Sequence, residues 1–147
     1  MKHKVDVHWQ RVGEFSHEGF ERRHDIAFQP QVGLPAGGAG NDVGADPEQM
    51  LAAAMSSCHM QTFLALAAKK RLTVESYHDE AEAVLAQRED GRFFIATLIL
   101  RPRVQFSGEK IPDDASVEAM HIKAHEHCFV ANSVLSEVII EPEFPSV

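Results

Sequence analysis

The stretch from Asp46 to Lys70 constrains this chain more than any other. Between Gln49 and Ala68 it holds no Asp, Glu, Lys or Arg, while charges stand at both of its ends. Asp46 can cap a helix, Pro47 suits the first helical position, and Gln49 can complete a capping box. Glu48 complements the positive end of the helix dipole, and Lys69, Lys70 and Arg71 complement the negative end. One long helix is therefore expected. Lacking a charged face, it must be buried inside a domain or between subunits. A membrane span competes with this reading. Against it, Ser56, Ser57, His59, Gln61 and Thr62 interrupt the apolar run, and alanine takes the place of leucine and isoleucine through the first half.

Composition excludes several partners. A net charge of -8 argues against nucleic acid or an anionic membrane, both of which demand basic patches. The chain has the length of one domain, expected over 1–147, and can bury a real core. Residues 1–9 have no apolar core and are not read as a signal peptide, so a cytoplasmic location is the expectation. In that compartment a pair of cysteines is kept reduced, and is more often catalytic or redox-sensing than structural.

Along the chain, Val5, Val7 and Trp9 alternate with polar residues as in a half-buried strand. After a turn over Gly13 to Gly19, a second strand is expected from Phe20 to Phe28, closing a hairpin. It carries the charged run Glu21-Arg22-Arg23-His24-Asp25, either a solvated face or a functional one. Pro30 to Gly44 reads as a loop. Its glycines do not suggest a phosphate cradle, because no Gly-Lys-Ser/Thr follows and Asp46 and Glu48 would repel the anion. A flexible approach to the helix is the simpler account. Leu72 to Gln87 is expected as a polar strand. Arg92 to Phe106 is expected as a strand with Phe94, Ala96, Leu98, Leu100, Pro102, Val104 and Phe106 on one face, Pro102 placing it at an edge or a bulge. A second helix follows over Asp114 to His127, and a last strand over Val134 to Glu141. The order β-β-α-β-β-α-β implies an α+β domain with antiparallel pairing.

Cys58 falls in the middle of the first helix and Cys128 at the end of the second. By themselves they could be two small core hydrophobes, since their spacing is not diagnostic. Their surroundings say more. Residues 46–60, Asp-Pro-Glu-Gln-Met-Leu-Ala-Ala-Ala-Met-Ser-Ser-Cys-His-Met, resemble the first cysteine motif of the OsmC/Ohr family of thiol peroxidases. Residues 124–133, Ala-His-Glu-His-Cys-Phe-Val-Ala-Asn-Ser, resemble the second. Leu100-Arg101-Pro102-Arg103-Val104 is similar to the OsmC-like branch.

The resemblance implies an OsmC-like α+β fold, with antiparallel sheets around two central helices and an intertwined homodimer. It also implies reduction of organic hydroperoxides or hydrogen peroxide. Carried over by position, Cys58 matches the peroxidatic cysteine, Cys128 the resolving cysteine and Glu48 the carboxylate of the Pro-Glu motif. Arg22 and Arg23 both qualify as the family's arginine, and Arg22 with His24 fits the Arg-x-His pattern better. In this chemistry a Cys58 thiolate attacks the peroxide, the resulting sulfenic acid condenses with Cys128, and a dithiol reopens the disulfide. The reductant implied is external, a dithiol or a lipoylated protein, and neither metal nor cofactor is expected.

Helix geometry adds one inference. Glu48 and Cys58 are ten positions apart, about 15 Å along a single helix, and cannot share a site within it. If they act together, Glu48 must come from the partner subunit, across two antiparallel copies of the helix that cross near Ala53. Two other readings stand beside the peroxidase. One is a metal site built from His121, His125, His127 and Cys128, two of its histidines one turn apart. The other is a small-molecule binder that uses the same pocket without turnover.

Overall fold

The computed structural model describes residues 1–29 and 31–145; Pro30, the first residue of the expected loop, lies outside them. The chain forms two compact units, Met1–Met50 and Leu51–Val147. Its class is α+β; the described residues form three small sheets and two α-helices.

The first unit is a three-stranded antiparallel sheet of β1 (Asp6–His8), β2 (His24–Gln29) and β3 (Val32–Ala36), with β2 in the centre. The expected hairpin is present, but β2 starts four residues later than Phe20. Residues 9–20 instead gather Trp9, Phe15 and Phe20 into an aromatic cluster, with centroids 5.7 to 6.4 Å apart. The Trp9 indole N–H closes it by donating to the Glu21 carbonyl at 2.7 Å. Arg22 and Arg23 therefore precede the strand and do not lie on it.

Strand β3 corrects the expectation of a continuous loop. Gly33 and Pro35 mask it in the sequence, yet both are tolerated because β3 is an edge strand. Nor is the segment that follows loose. Gly37 N–H donates to Ala45 O and Ala45 N–H to Pro35 O, both at 3.1 Å. The Asn41 side-chain Oδ1 accepts from the N–H groups of Val43 and Gly44 at 2.8 and 2.9 Å. At Gly44 a Cβ would stand 1.9 Å from the Pro35 carbonyl oxygen, so only glycine fits there.

Helix α1 (Pro47–Lys69) begins at the end of the first unit and runs through the second. The expected capping box is formed: Gln49 N–H donates to the Asp46 carboxylate at 2.7 Å, and the Gln49 side chain accepts from Asp46 N–H at 3.0 Å. Arg71, at φ +60°, turns the chain back, with Leu72 N–H bonded to Ala67 O at 3.0 Å.

In the second unit, the expected strand over Leu72 to Gln87 is two, β4 (Thr73–Asp79) and β5 (Glu82–Gln87). Likewise Arg92 to Phe106 divides into β6 (Phe93–Leu100) and β7 (Pro102–Ser107). β4 pairs with β7, and β5 with β6, all antiparallel. The breaks at Glu80-Ala81 and at Arg101 let each half join a different sheet. Asp79 organises the crossing, accepting from Arg101 N–H at 2.7 Å and from the Ser56 hydroxyl on α1. Helix α2 (Asp114–His127) follows the expected boundaries and is capped by the Asp113 carboxylate on Ser116 N–H at 2.8 Å. A 3₁₀ turn (Ala131–Ser133) leads to β8 (Glu137–Ile140), which adds to β6 in parallel.

Two apolar clusters form the core of this unit. Phe63, Ala67, Leu72, Val117, Met120 and Ala124 join α1 to α2. Ala52, Met55, Leu98, Leu100 and Cys128 join α1 to β6, with Cys58 packed against them. Burial along α1 is confined to one side, at Ala52, Met55, His59, Phe63 and Ala67. Its other flank, with Ala53, Ala54, Ser57, Gln61 and Ala65, is exposed in the single chain. By length and composition α1 could cross a membrane. Its polar side chains are nevertheless engaged by the second unit, Ser56 by Asp79 and His59 by His121.

Candidate active site

The two thiols meet. Cys58 projects from mid-α1 and Cys128 from the residue that ends α2, and both side chains pack into the second core cluster. Both are free. Their environments differ: Cys58 is half-buried, whereas Cys128 is fully enclosed. Burial pushes the Cys128 thiol up to about 11, and the hydrogen bond and charge of Cys58 push the same way. Cys128 therefore stays protonated at neutral pH. The more accessible Cys58 is the sulfur a small oxidant can reach.

Local structure fixes both. Thr62 bonds its hydroxyl to the Cys58 carbonyl at 2.9 Å, one turn back along α1. Cys128 leaves the helical conformation (φ -75°, ψ 117°) while its N–H still caps α2 on His125 O at 3.3 Å. Its sulfur accepts from Ala131 N–H at 3.5 Å.

The other two expected residues belong to the first unit. Glu48 lies in the first turn of α1, nearly three turns before Cys58. One of its carboxylate oxygens is buried and has no hydrogen-bond partner among the described residues. Arg22 is exposed in the first unit, its guanidinium 4.2 Å from the centre of the Phe20 ring and its stem against Gly38. Arg23 instead lines a cavity of about 360 Å³ with His8, Glu21, His24 and Asp25. No ion pair joins Arg22 or Arg23 to Glu48 among the described residues. Within the Arg22-Arg23-His24 run, the His24 ring donates from Nδ1 to the Arg22 carbonyl at 2.8 Å.

The histidines behave differently from the metal reading. His59 and His121 are both buried and hydrogen-bonded to each other, and the His125 Nδ1 atom is buried without a partner among the described residues. No three His, Cys, Asp or Glu side chains among the described residues stand close enough to hold a metal ion. The His59–His121 pair has no local signature in the sequence, since its members are separated by most of the second unit.

The fold and the paired thiols define a class of small α+β cysteine proteins, and comparison with known proteins specifies it. The family model for OsmC-like protein matches residues 38–143, so the chain belongs to the OsmC-like family. An OsmC-like protein of unknown function from Vibrio cholerae is 37% identical, with a TM-score of 0.90, and the match covers 97% of this chain and 99% of that one. The organic hydroperoxide resistance protein OhrB of Bacillus subtilis shares the fold at 19% identity and TM-score 0.70, with 99% and 98% covered. An organic hydroperoxide resistance protein from Legionella pneumophila does so at 18% and 0.64, again with 99% and 98% covered. No curated protein sequence matches at a significant level.

Proposed function

We propose that this protein is a thiol-dependent hydroperoxide reductase. The contact between a half-buried Cys58 and a fully buried, protonated Cys128 carries the reading. The Cys58 thiolate attacks the terminal peroxide oxygen, the O–O bond breaks, and the alkoxide leaves and takes up a proton. Cys58 is then a sulfenic acid. The Cys128 sulfur displaces hydroxide from it, forming the Cys58–Cys128 disulfide and water. An external dithiol, small or carried on a lipoylated protein, reduces that bond by exchange and returns both thiols. The neighbouring thiol serves as the resolving nucleophile.

In this proposal the attacking site is completed by a second copy of the chain. Arg22 supplies the positive charge that favours the Cys58 thiolate and the developing alkoxide, and Glu48 orients the guanidinium by a paired contact. Three observations support a shared site. Glu48 and Cys58 are too far apart along one helix, a Glu48 oxygen is buried without a partner among the described residues, and the Ala53-Ala54-Ser57 flank of α1 is exposed. Small, uncharged residues there allow two α1 helices to approach closely.

Steady-state turnover of cumene hydroperoxide, with dihydrolipoamide and thioredoxin as alternative reductants, tests the activity. Consumption of peroxide with loss of two thiols per chain is the expected result; binding without thiol loss would leave a non-catalytic pocket. Light scattering tests the shared site, and a fully active monomer would overturn it.

A further inference from the structure

At the far end of α1 from the capping box, the second unit holds a cavity of about 680 Å³ whose lining has an unusual charge. Lys69, Lys70, Lys110 and Lys123 surround it, and no Asp or Glu takes part. Only Lys2 and Lys4, in the first unit, remain of the chain's lysines. Such a concentration stands out in a chain of net charge -8. Lys69 and Lys70 have a sufficient role at the C-terminal end of a helix dipole. Lys110 and Lys123 do not share it, yet they line the same cavity from the loop before α2 and from α2 itself. Lys123 pairs with Glu126 at 3.3 Å on the surface, while Lys69, Lys70 and Lys110 have no ion pair among the described residues.

The floor is apolar. Leu72 and Met120 are buried core residues, Leu66 packs against them, and Ala119 and Pro112 complete the walls. The volume falls in the range of about 300–1,000 Å³ typical of small-molecule sites. A second cavity of about 480 Å³ shares Pro112 with it but is lined by Glu75, Asp114 and Glu143, so the basic character is local.

We propose that this cavity binds an amphipathic anion, a single alkyl chain bearing a carboxylate head, with the tail on Leu66, Leu72 and Met120 and the head among the four ammonium groups. Charge selects the head, since the acidic remainder of the molecule repels an anion elsewhere. The apolar floor selects the tail by removing it from water. Leu66 lies eight positions beyond Cys58, about 12 Å along the helix, so the site is separate from the thiol pair. The inference does not rest on peroxide chemistry.

Calorimetric titration of the reduced protein with octanoate, 1-octanol and acetate tests it. Octanoate is expected to saturate a single site per chain. Octanol, which lacks the charge, and acetate, which lacks the tail, should each bind at least about tenfold more weakly. Lys110→Glu with Lys123→Glu should weaken octanoate by a similar factor, and Lys110→Arg with Lys123→Arg should retain it. If the glutamate pair disturbs folding by circular dichroism, the Lys110→Gln, Lys123→Gln pair replaces it with the same expectation. Absence of saturable octanoate binding, equal binding of octanol, or unchanged affinity in the charge-altered pair would overturn the proposal. Peroxide turnover in the same variants is expected to be unaltered, which separates this site from the proposed activity.

Discussion

The Nε2 atom of His59 lies 2.9 Å from Nδ1 of His121, with the two rings 8° from parallel and their centroids 5.3 Å apart. One imidazole must donate and the other accept, so the bond cannot survive protonation of both rings. Phe63 stacks on His121 at 4.3 Å, and both histidines are almost fully enclosed. The pair fastens α1 to α2 at the residue that follows Cys58.

This arrangement predicts acid sensitivity. Burial lowers His59 from 6.5 to about 4, helped by the nearby His125, and lowers His121 to about 3, helped by His59. Below pH 6.5 the unfolded chain takes up protons that the folded chain refuses. Stability is therefore complete above that pH and falls as pH drops toward 4, by up to about 1 kcal/mol per pH unit for each imidazole. Asp90 and Asp113, whose carboxyls are held below their usual range mainly by hydrogen bonds to Arg92 and Ser116, act only in a lower window. Urea unfolding at a series of pH values checks this, and His59→Phe with His121→Leu should flatten the curve between pH 6.5 and 4.

Cys58→Ser should abolish peroxide turnover, because no other thiol of the pair is accessible. Cys128→Ser should consume about one equivalent of peroxide and then stall, since the sulfenic acid loses its nearest nucleophile. Trapping with dimedone followed by mass spectrometry distinguishes the two variants.

For the arginine, Arg22→Ala is expected to lower kcat/KM for the hydroperoxide by about 10²-fold or more, as when a preorganised charge is removed from a transition state. Arg23→Ala should leave it within about twofold, a barrier change well under 1 kcal/mol. The reverse order would reassign the role to the residue that lines the cavity with His8 and Asp25.

Gly44→Ala should destabilise the protein by more than about 2 kcal/mol, because the added methyl would strike the Pro35 carbonyl in the strap between β3 and α1. Asp46→Ala should cost about 1 kcal/mol through the lost cap, and Asp46→Asn much less. Thermal unfolding of the three variants measures both effects.

The helices were the legible part of the fold, because their signals are local. Asp46, Pro47 and Gln49 announce the start of α1, and Asp113 with the His-rich last turn brackets α2. Strands were read too long wherever alternation ran through a bend: Leu98, Leu100 and Pro102 keep one period although Arg101 parts two sheets. β3 was hidden by Gly33 and Pro35, which argue against a strand until the edge position is known. The site was legible only through its motifs. Cys58 and Cys128 are seventy positions apart, and His59 and His121 sixty-two, so tertiary packing alone brings each pair together.

Cys128 occupies the joint at which α2 gives way to the 3₁₀ turn, and its backbone is already extended. A sulfur on such a joint can turn toward its partner by rotation about χ1, without unwinding the helix before it. Oxidation should thus leave far-ultraviolet dichroism unchanged while altering near-ultraviolet signals and amide exchange at Ala131 to Ser133. The cycle would then run as a local hinge, with the scaffold on either side held still.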